Sequence, residues 1–114
     1  VDDTQPYYLK EALKIIDERY QEKLSAASIA KELFISESYL CKLFRQEMDT
    51  SFTEYLVYIR VRKAMGMIKN TSMKFYEIAE ATGFGDSAWF ATQFRRITGI
   101  SPSQYKASVK GKRI

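Results

Sequence analysis

The chain has 114 residues, of which 46% are hydrophobic and 28% are charged, and its formal net charge is +4. This composition excludes a disordered chain, and the apolar runs are too short for a membrane span or a signal peptide. The charge is uneven, because residues 1–24 hold 4 basic and 6 acidic side chains whereas residues 25–114 hold 14 and 8. A basic body of this kind indicates a polyanionic partner, with an ordinary solvated surface as the alternative.

The first half of the chain contains three segments in which apolar residues recur at helical spacing. They predict helices over residues 7–20, 26–33 and 37–48. Ser25 and Ser36 are placed to cap the second and third helices, because a serine side chain accepts a hydrogen bond from the first turn. Residues 1–6 are polar and aperiodic, which predicts the tail of a linker.

A long fourth helix is predicted over residues 52–70, behind a capping box formed by Ser51 and Glu54. Gly66 lies inside this helix, off its apolar stripe, and is interpreted either as an exposed position or as a flexible joint. The fifth helix is predicted to begin at residue 72 or 73 and to end at Gly83, since glycine takes a positive φ most easily.

The last two predicted helices each follow a turn signal. Asp86 is placed to cap the sixth helix, residues 87–98, and Pro102 occupies the first position of the seventh, behind a capping box of Ser101 and Gln104. Residues 109–114 are predicted to fray. No segment alternates with period two over the length of a strand, so the predicted fold class is all-α with about seven helices.

Two distant stretches of the chain match each other residue by residue. Residues 28–35 correspond to residues 77–84 and, after the extra Gly85, residues 36–55 correspond to residues 86–105. The matched pairs are Ile29–Ile78, Ala30–Ala79, Ile35–Phe84, Ser36–Asp86, Leu40–Phe90, Phe44–Phe94, Arg45–Arg95, Ser51–Ser101 and Tyr55–Tyr105. Each copy is a helix, a tight turn, a second helix and a capped helix start.

This order is the helix-turn-helix pattern, in which the second helix enters the major groove of DNA. Two copies in register favour it over an unspecialised helical bundle. A fourth helix of this predicted length would be about 28 Å long, which is close to the ~34 Å between successive major grooves on one side of B-DNA. The sequence therefore predicts a monomer that reads two adjacent grooves.

From residue 7 to residue 106 the chain resembles the DNA-binding domain of the AraC/XylS family of bacterial transcription regulators. The most specific part is "IAEATGFGDSAWFATQFRRITGISPSQYK", with its "IA" helix, "GF" turn, "F…F" helix followed by a basic residue, and closing G-x-S-P-x-x-Y. The resemblance implies two homeodomain-like helix-turn-helix subdomains joined by a linker helix, and an action on RNA polymerase at promoter DNA. The first helix is similar to those of members attached to receiver domains, which implies a missing N-terminal receiver or sensor domain.

The resemblance divides the chain into five parts: a linker tail (1–6), a first helix-turn-helix subdomain (7–50), the linker helix (51–70), a second subdomain (71–108) and a frayed tail (109–114). The predicted function is sequence-specific binding of double-stranded DNA as the output domain of a larger, signal-responsive transcription regulator. The alternative is a protein-interaction module of the same fold with little affinity for DNA.

The second helix of each helix-turn-helix is called its reading helix. For the first reading helix, the resemblance implies base contacts from the face opposite the inward-facing Leu40 and Phe44, near its N-terminal end. Ser38, Cys41 and Lys42 lie there: lysine is suited to guanine, and Cys41 to a thymine methyl group, with an idle exposed thiol as the alternative.

The second reading helix offers Ser87, Ala88 and Thr92 as base-reading residues. This set is poor in hydrogen-bonding groups, which favours methyl contacts, phosphate contacts and DNA shape. Trp89, beside Phe90, is predicted to pack between helices, with contact of its ring with a base as the alternative.

Basic residues on or near the helices that flank the grooves are expected to contact phosphates. They are Arg45, Arg60, Arg62, Lys63, Arg95, Arg96 and Lys106. No catalytic, cofactor or metal site is expected, because the chain has no histidine, no metal-ligand spacing and no phosphate-binding glycine loop. One cysteine, Cys41, excludes an internal disulfide framework and indicates a cytoplasmic setting.

Overall fold

The computed structural model of the chain describes residues 4–110. In that range the chain forms seven α-helices and one π-helical segment, and no strand. The helices are α1 (Thr4–Arg19), α2 (Ala26–Leu33), α3 (Glu37–Leu43), α4 (Phe52–Asn70), α5 (Phe75–Ala81), α6 (Ser87–Thr98) and α7 (Pro102–Lys110), and the π-helical segment is Phe44–Met48. The predicted all-α class is confirmed. Among the described residues no helix has the length and apolar character needed to cross a membrane.

Most helix starts lie where the sequence places them, because local capping side chains determine them. The N–H of Ser28 donates to Ser25 Oγ at the start of α2, at 3.0 Å. At α7 the N–H of Ser101 donates to Gln104 Oε1 at 2.9 Å, and the N–H of Gln104 donates to Ser101 Oγ at 3.1 Å. These reciprocal bonds satisfy backbone donors that a helix start otherwise leaves unpaired.

The chain ends differ from the prediction. Helix α1 begins at Thr4 rather than at Tyr7, so helix replaces linker tail from that residue, and residues 1–3 lie outside the described range. Helix α7 continues to Lys110, two positions into the segment predicted to fray, whose remaining residues 111–114 also lie outside that range.

The start of α5 also differs, because this helix begins at Phe75 rather than at residue 72 or 73. Thr71 Oγ1 donates to the carbonyl oxygen of Met67 at 2.6 Å and accepts the N–H of Met73 at 3.2 Å. The N–H of Lys74 donates to Glu77 Oε1 at 2.8 Å. Side chains thus supply the partners of this stretch, which holds its backbone outside the helix.

The third predicted helix changes its hydrogen-bonding pattern after Leu43. Residues Phe44–Met48 continue it as a π-helical segment, and Asp49 ends it in the left-handed region with φ 55°. The ring of Phe44 is fully buried and meets the ring of Phe52 edge-on, with centroids 5.7 Å apart.

The chain divides into two compact units, Val1–Leu56 and Val57–Ile114, with the boundary inside α4. Each has its own apolar core. Buried core residues of the first unit include Leu9, Ala12, Ile16, Ile29, Ala30, Leu40, Leu43 and Phe44. The core of the second unit contains Val61, Ala64, Ile68, Ile78, Ala79, Phe84, Phe90 and Phe94.

The structural repeat extends further than the sequence repeat. Buried residues occur at the same intervals on α1 and on α4: Leu9, Ala12 and Ile16 on the first, Val61, Ala64 and Ile68 on the second. Each unit therefore contains an equivalent set of three helices, α1–α3 in the first and the C-terminal part of α4 with α5 and α6 in the second. The residue-by-residue match within the sequence does not extend to α1 and α4, because their buried faces share only small and aliphatic side chains.

Candidate nucleic-acid interface

In the first unit, α2, a tight turn and α3 form a helix-turn-helix. The N–H of Ile35 donates to the carbonyl oxygen of Ala30 across the turn, at 3.0 Å. Phe34 takes the left-handed conformation in this turn, with φ 60°. The N–H of Tyr39 donates to Ser36 Oγ at 3.0 Å, which confirms the predicted cap. The turn and the first residues of the reading helix are thus fixed by backbone and capping hydrogen bonds.

The predicted base-reading residues of α3 lie on its side away from the core. Leu40 and Leu43 are fully buried, whereas Ser38 and Lys42 are exposed and Cys41 is half-buried. One helix face therefore presents a hydroxyl, a thiol and an ammonium group. That set combines hydrogen-bond donors and acceptors with a positive charge.

The second unit repeats this arrangement with α5 and α6. The N–H of Gly85 donates to the carbonyl oxygen of Ala79 across the turn, at 2.9 Å. The two carboxylate oxygens of Asp86 accept the N–H groups of Ala88 and Trp89, each at 3.3 Å. Asp86 is thus confirmed as the cap of the second reading helix.

The outward face of α6 offers few hydrogen-bonding groups. Ser87, Ala88 and Thr92 are exposed, and Ala91 is half-buried. Thr92 Oγ1 donates to the carbonyl oxygen of Ala88 at 3.0 Å, so the hydroxyl proton is already engaged within the helix. Methyl groups consequently dominate the face that the sequence assigns to base reading.

Trp89 corrects a prediction and adds a residue to the face. The sequence predicts a ring packed between helices, but Trp89 is 50% exposed. The core beside it is already filled by phenylalanine rings, with centroids 5.6 Å apart for Phe84 and Phe90 and 5.7 Å apart for Phe90 and Phe94. Helix geometry could have revealed the exposure, because Trp89 is about 100° around the helix from Phe90.

The seven predicted phosphate contacts have different surroundings. Arg45, Arg62, Arg95, Arg96 and Lys106 are exposed, whereas Arg60 and Lys63 are half-buried. Burial lowers the pKa of the Arg60 guanidinium below its ordinary value. The guanidinium of Arg62 lies over the Tyr58 ring, 6.0 Å from its centroid. Arg60 and Lys63 are consequently less accessible to a phosphate than the five exposed residues.

Two cations of the second unit are held by neighbours. Arg96 donates through Nε and Nη2 to Gln93 Oε1, at 3.0 and 2.8 Å. Lys106 Nζ lies 5.7 Å from the ring centroid of Phe75. Because Phe75 lines a surface groove together with Ala88 of α6, this lysine lies near the second reading helix.

Helical spacing brings the predicted residues together within each unit. On α6, Ala88, Thr92 and Arg95 follow one another at intervals of four and three residues, which places them on one face. On α3 and the π-helical segment, Lys42 and Arg45 are both exposed. Their contacts with DNA stay predictions. In the part of the chain that the structure describes, no group of three His, Cys, Asp or Glu residues is arranged to hold a metal ion.

Comparisons with known proteins agree with this geometry. A family model described as a helix-turn-helix domain matches residues 29–108. The C-terminal domain of AraT, a response regulator from Geobacillus stearothermophilus, is 31% identical with a TM-score of 0.86, over 89% of this chain and 84% of that domain. The chain belongs to the AraC-type helix-turn-helix family.

Two further matches cover most of this AraC-type domain. A transcriptional regulator with an AraC-type DNA-binding domain from Chromobacterium violaceum is 25% identical with a TM-score of 0.88, over 97% of this chain and 99% of that one. The Msm operon regulatory protein of Streptococcus mutans is 33% identical over 103 residues, which are 90% of this chain and 37% of that protein. The chain spans about a third of the length of the first curated relatives that it matches.

Proposed function

We propose that this AraC-type domain binds double-stranded promoter DNA sequence-specifically, with α3 and α6 entering two adjacent major grooves of one duplex. The observation that carries the proposal is a capped second helix with an exposed outward face in both helix-turn-helix units. In this motif the N-terminal half of the second helix meets the base edges. The basic excess of residues 25–114 suits a polyanionic ligand.

The length of α4 supports adjacent grooves as the target. Its 19 residues span about 28 Å at 1.5 Å per residue. Successive major grooves on one side of B-DNA are about 34 Å apart. A chain with a reading helix on either side of such a connection needs no second copy to read two boxes.

The two units take different roles in this proposal. In the first, Lys42 donates to a guanine edge, Ser38 pairs with a neighbouring base and Cys41 contacts a thymine methyl group. In the second, the small side chains of Ser87, Ala88 and Thr92 follow the groove with few hydrogen bonds. The phosphate contacts come from Arg45, Arg60, Arg62, Lys63, Arg95, Arg96 and Lys106, with Arg60 and Lys63 expected to contribute least because they are half-buried.

The domain is proposed to act within a larger bacterial transcription regulator. The chain spans about a third of its first curated relatives, and AraT, which it resembles, is a response regulator. A receiver or other sensor domain would then supply the signal, RNA polymerase would be the target of the regulation, and the protein would work in the cytoplasm. The domain itself would have no enzymatic role.

The proposal is tested by selecting random duplex DNA on this domain at near-physiological salt and sequencing the retained molecules. We expect two short boxes about one helical turn apart. A single box would contradict reading by both units. No enrichment at any salt concentration would contradict DNA reading altogether and favour the alternative, a protein-interaction module of the same fold.

The base-reading role of Lys42 is tested by Lys42→Glu. We expect the preference for the selected duplex over a scrambled one to fall about tenfold or more, because a good base contact contributes roughly 1–3 kcal/mol of discrimination. Lys14→Glu is the control, since Lys14 is exposed on α1 and the same charge change there should weaken both duplexes alike. An unchanged preference in Lys42→Glu, measured by fluorescence anisotropy, would rule out the assignment.

A further inference from the structure

We propose that the second reading helix recognises thymine methyl groups, and that Trp89 is the principal residue of this apolar readout. The inference rests on the proposed function and assigns a base preference and a main contact to α6. It starts from an aromatic side chain that the core does not use, since Trp89 is 50% exposed. In the first two turns of α6 the other exposed residues, Ser87, Ala88 and Thr92, are small, so the indole is the largest apolar group available to a ligand there.

Trp89 lies beside the predicted base-reading residues of α6. Thr92 follows it by three positions, the spacing at which side chains on a helix are neighbours. Ala88 and Thr92 are both exposed, and Thr92 Oγ1 donates to the Ala88 carbonyl oxygen at 3.0 Å. The indole, the Ala88 methyl group and the Thr92 methyl group therefore form one apolar surface at the N-terminal half of the helix.

Few side-chain groups on α6 are available to hydrogen-bond with a base. The Asp86 carboxylate accepts two backbone N–H groups as the cap, and the Thr92 hydroxyl is engaged with its own helix. Among the exposed side chains in the first two turns, that leaves the Ser87 hydroxyl and the Trp89 indole N–H for a base edge. A surface of this kind distinguishes bases by their apolar groups.

The first unit shows how the repeat treats the equivalent position. Tyr39 corresponds to Trp89, but its ring meets the ring of Tyr8 on α1 edge-on, with centroids 6.2 Å apart, and it is half-buried whereas Trp89 is exposed. The reading face of α3 instead carries the charged Lys42. The two units thus differ in chemistry, with a polar, cationic face on α3 and an apolar face on α6.

Duplex DNA offers one apolar group at the base edges of its major groove, the C5-methyl group of thymine. Covering such a group with an apolar side chain should strengthen binding about fourfold for each methyl contacted, by the transfer free energy of roughly 0.8 kcal/mol per carbon. The thymine methyl group is therefore the base-edge group that the apolar face of α6 is suited to contact.

The positive charges around this apolar surface favour a nucleic acid as its ligand over an apolar protein. Arg95 is exposed and lies on the same helix face as Ala88 and Thr92, and Lys106 Nζ lies over the ring of Phe75, which shares a groove with Ala88. Cations around an apolar centre are the arrangement expected when phosphates flank the contacted bases.

The test replaces thymine by deoxyuridine, which lacks only the methyl group. The probes are the duplex recovered by selection and versions in which the thymines of one box or of both boxes are replaced, with affinities measured by fluorescence anisotropy. We expect the wild type to lose about fourfold or more in affinity with uracil in one box. We expect Trp89→Ala to lose most of the preference for thymine over uracil in that box, with the Ala88 and Thr92 methyl groups supplying the remainder.

Two variants provide controls. Tyr76→Ala removes another exposed aromatic ring, 61% exposed on α5 of the same unit, and should leave the thymine-to-uracil ratio unchanged. Lys42→Ala should weaken all duplexes and retain the ratio. Because Trp89 is the one tryptophan of the chain, its fluorescence emission should also change more with the thymine duplex than with the uracil duplex.

The possible outcomes separate this inference from the function on which it rests. Salt-dependent, sequence-specific binding with equal affinity for thymine and uracil would overturn the inference while supporting DNA reading. The same conclusion would follow if Trp89→Ala, folded by circular dichroism, kept the full thymine preference, or if Tyr76→Ala lost it. Absence of any duplex binding by the wild type would contradict the proposed function and the inference together.

Discussion

Phe34 and Asp49 occupy left-handed backbone positions that the second unit gives to glycine. Their φ angles are 60° and 55°, and the matching Gly83 and Gly99 have φ angles of 91° and 89°. The same turn and the same helix end are therefore built twice, once with side chains that strain the backbone. For most residues other than glycine this conformation costs roughly 1–2 kcal/mol, and aspartate tolerates it better than phenylalanine does.

Phe34→Gly is expected to stabilise the domain by up to about 1 kcal/mol, because relief of strain exceeds the added chain entropy of glycine in the unfolded state. Little burial is lost, since Phe34 is 94% exposed. Asp49→Gly is the comparator and should give a smaller gain. Denaturant unfolding measures both, and a destabilised Phe34→Gly variant would show that the phenylalanine packs in a way that its exposure hides.

The sequence predicts the positive φ of Gly83 but not that of Phe34, for a physical reason. A glycine in a turn indicates a residue with positive φ, whereas an aromatic residue in the same turn does not. The repeat contains this information, because it aligns Phe34 with Gly83. Trp89 is similar, because its exposure follows from its position around the helix relative to Phe90 and Phe94 and not from its residue type.

Helix boundaries were predictable where a side chain near the boundary determines them. Ser25, Ser36 and Asp86 each accept a hydrogen bond from the first turn of the following helix, as predicted. The start of α5 was missed because Lys74 occupies its cap position and provides no side-chain cap. The π-helical segment is not predictable in this way, because the spacing of apolar residues along the chain does not distinguish five π-helical residues from an α-helix.

Gly66 in α4 provides a test at the scale of one helix. A Cβ added there meets no atom within 4 Å, so Gly66→Ala should stabilise the domain by about 1 kcal/mol through helix propensity alone. Unfolding midpoints and DNA affinity are measured together. Gly66 is half-buried rather than exposed. Unchanged affinity would indicate a position without a role in DNA binding, and a loss of affinity despite higher stability would favour a flexible joint.

Gly99→Ala is the matched control for that experiment. A Cβ at Gly99 also meets nothing within 4 Å, but its φ is +89°. Alanine there should destabilise the domain by about 1 kcal/mol, because the backbone conformation is strained for any residue with a Cβ. The same change at two uncrowded positions should thus have opposite signs, and equal signs would contradict the assignment of Gly99 as the left-handed end of α6.

At the scale of the whole molecule, the repeat was the most informative feature of the sequence, since it predicts two helix-turn-helix units and their capped reading helices. The surroundings of the cations could not be predicted in this way. Arg60 and Arg62 are close in sequence, yet the first is half-buried and the second exposed. Burial on a long helix depends on what packs against it, which local spacing does not reveal.

Salt dependence of DNA binding measures how many of these cations contact phosphates. Each phosphate neutralised contributes about −0.9 to the slope of log affinity against log salt. Contacts by all seven cations would therefore give a slope of about −6, and contacts by the five exposed ones alone a slope of about −4.5.

Arg45→Ala and Arg95→Ala should each reduce the magnitude of that slope by about 0.9, because both side chains are exposed, Arg95 on α6 and Arg45 on the π-helical segment that continues α3. Arg19→Ala is the control, since this guanidinium is bound to Glu22 at 3.1 Å and to Glu32 at 2.8 Å and should contribute nothing. Circular dichroism confirms that each variant folds. If Arg19→Ala changed the slope as much as Arg45→Ala did, the salt dependence would report net charge alone, whereas a change confined to Arg45 and Arg95 would assign the phosphate contacts to the reading helices.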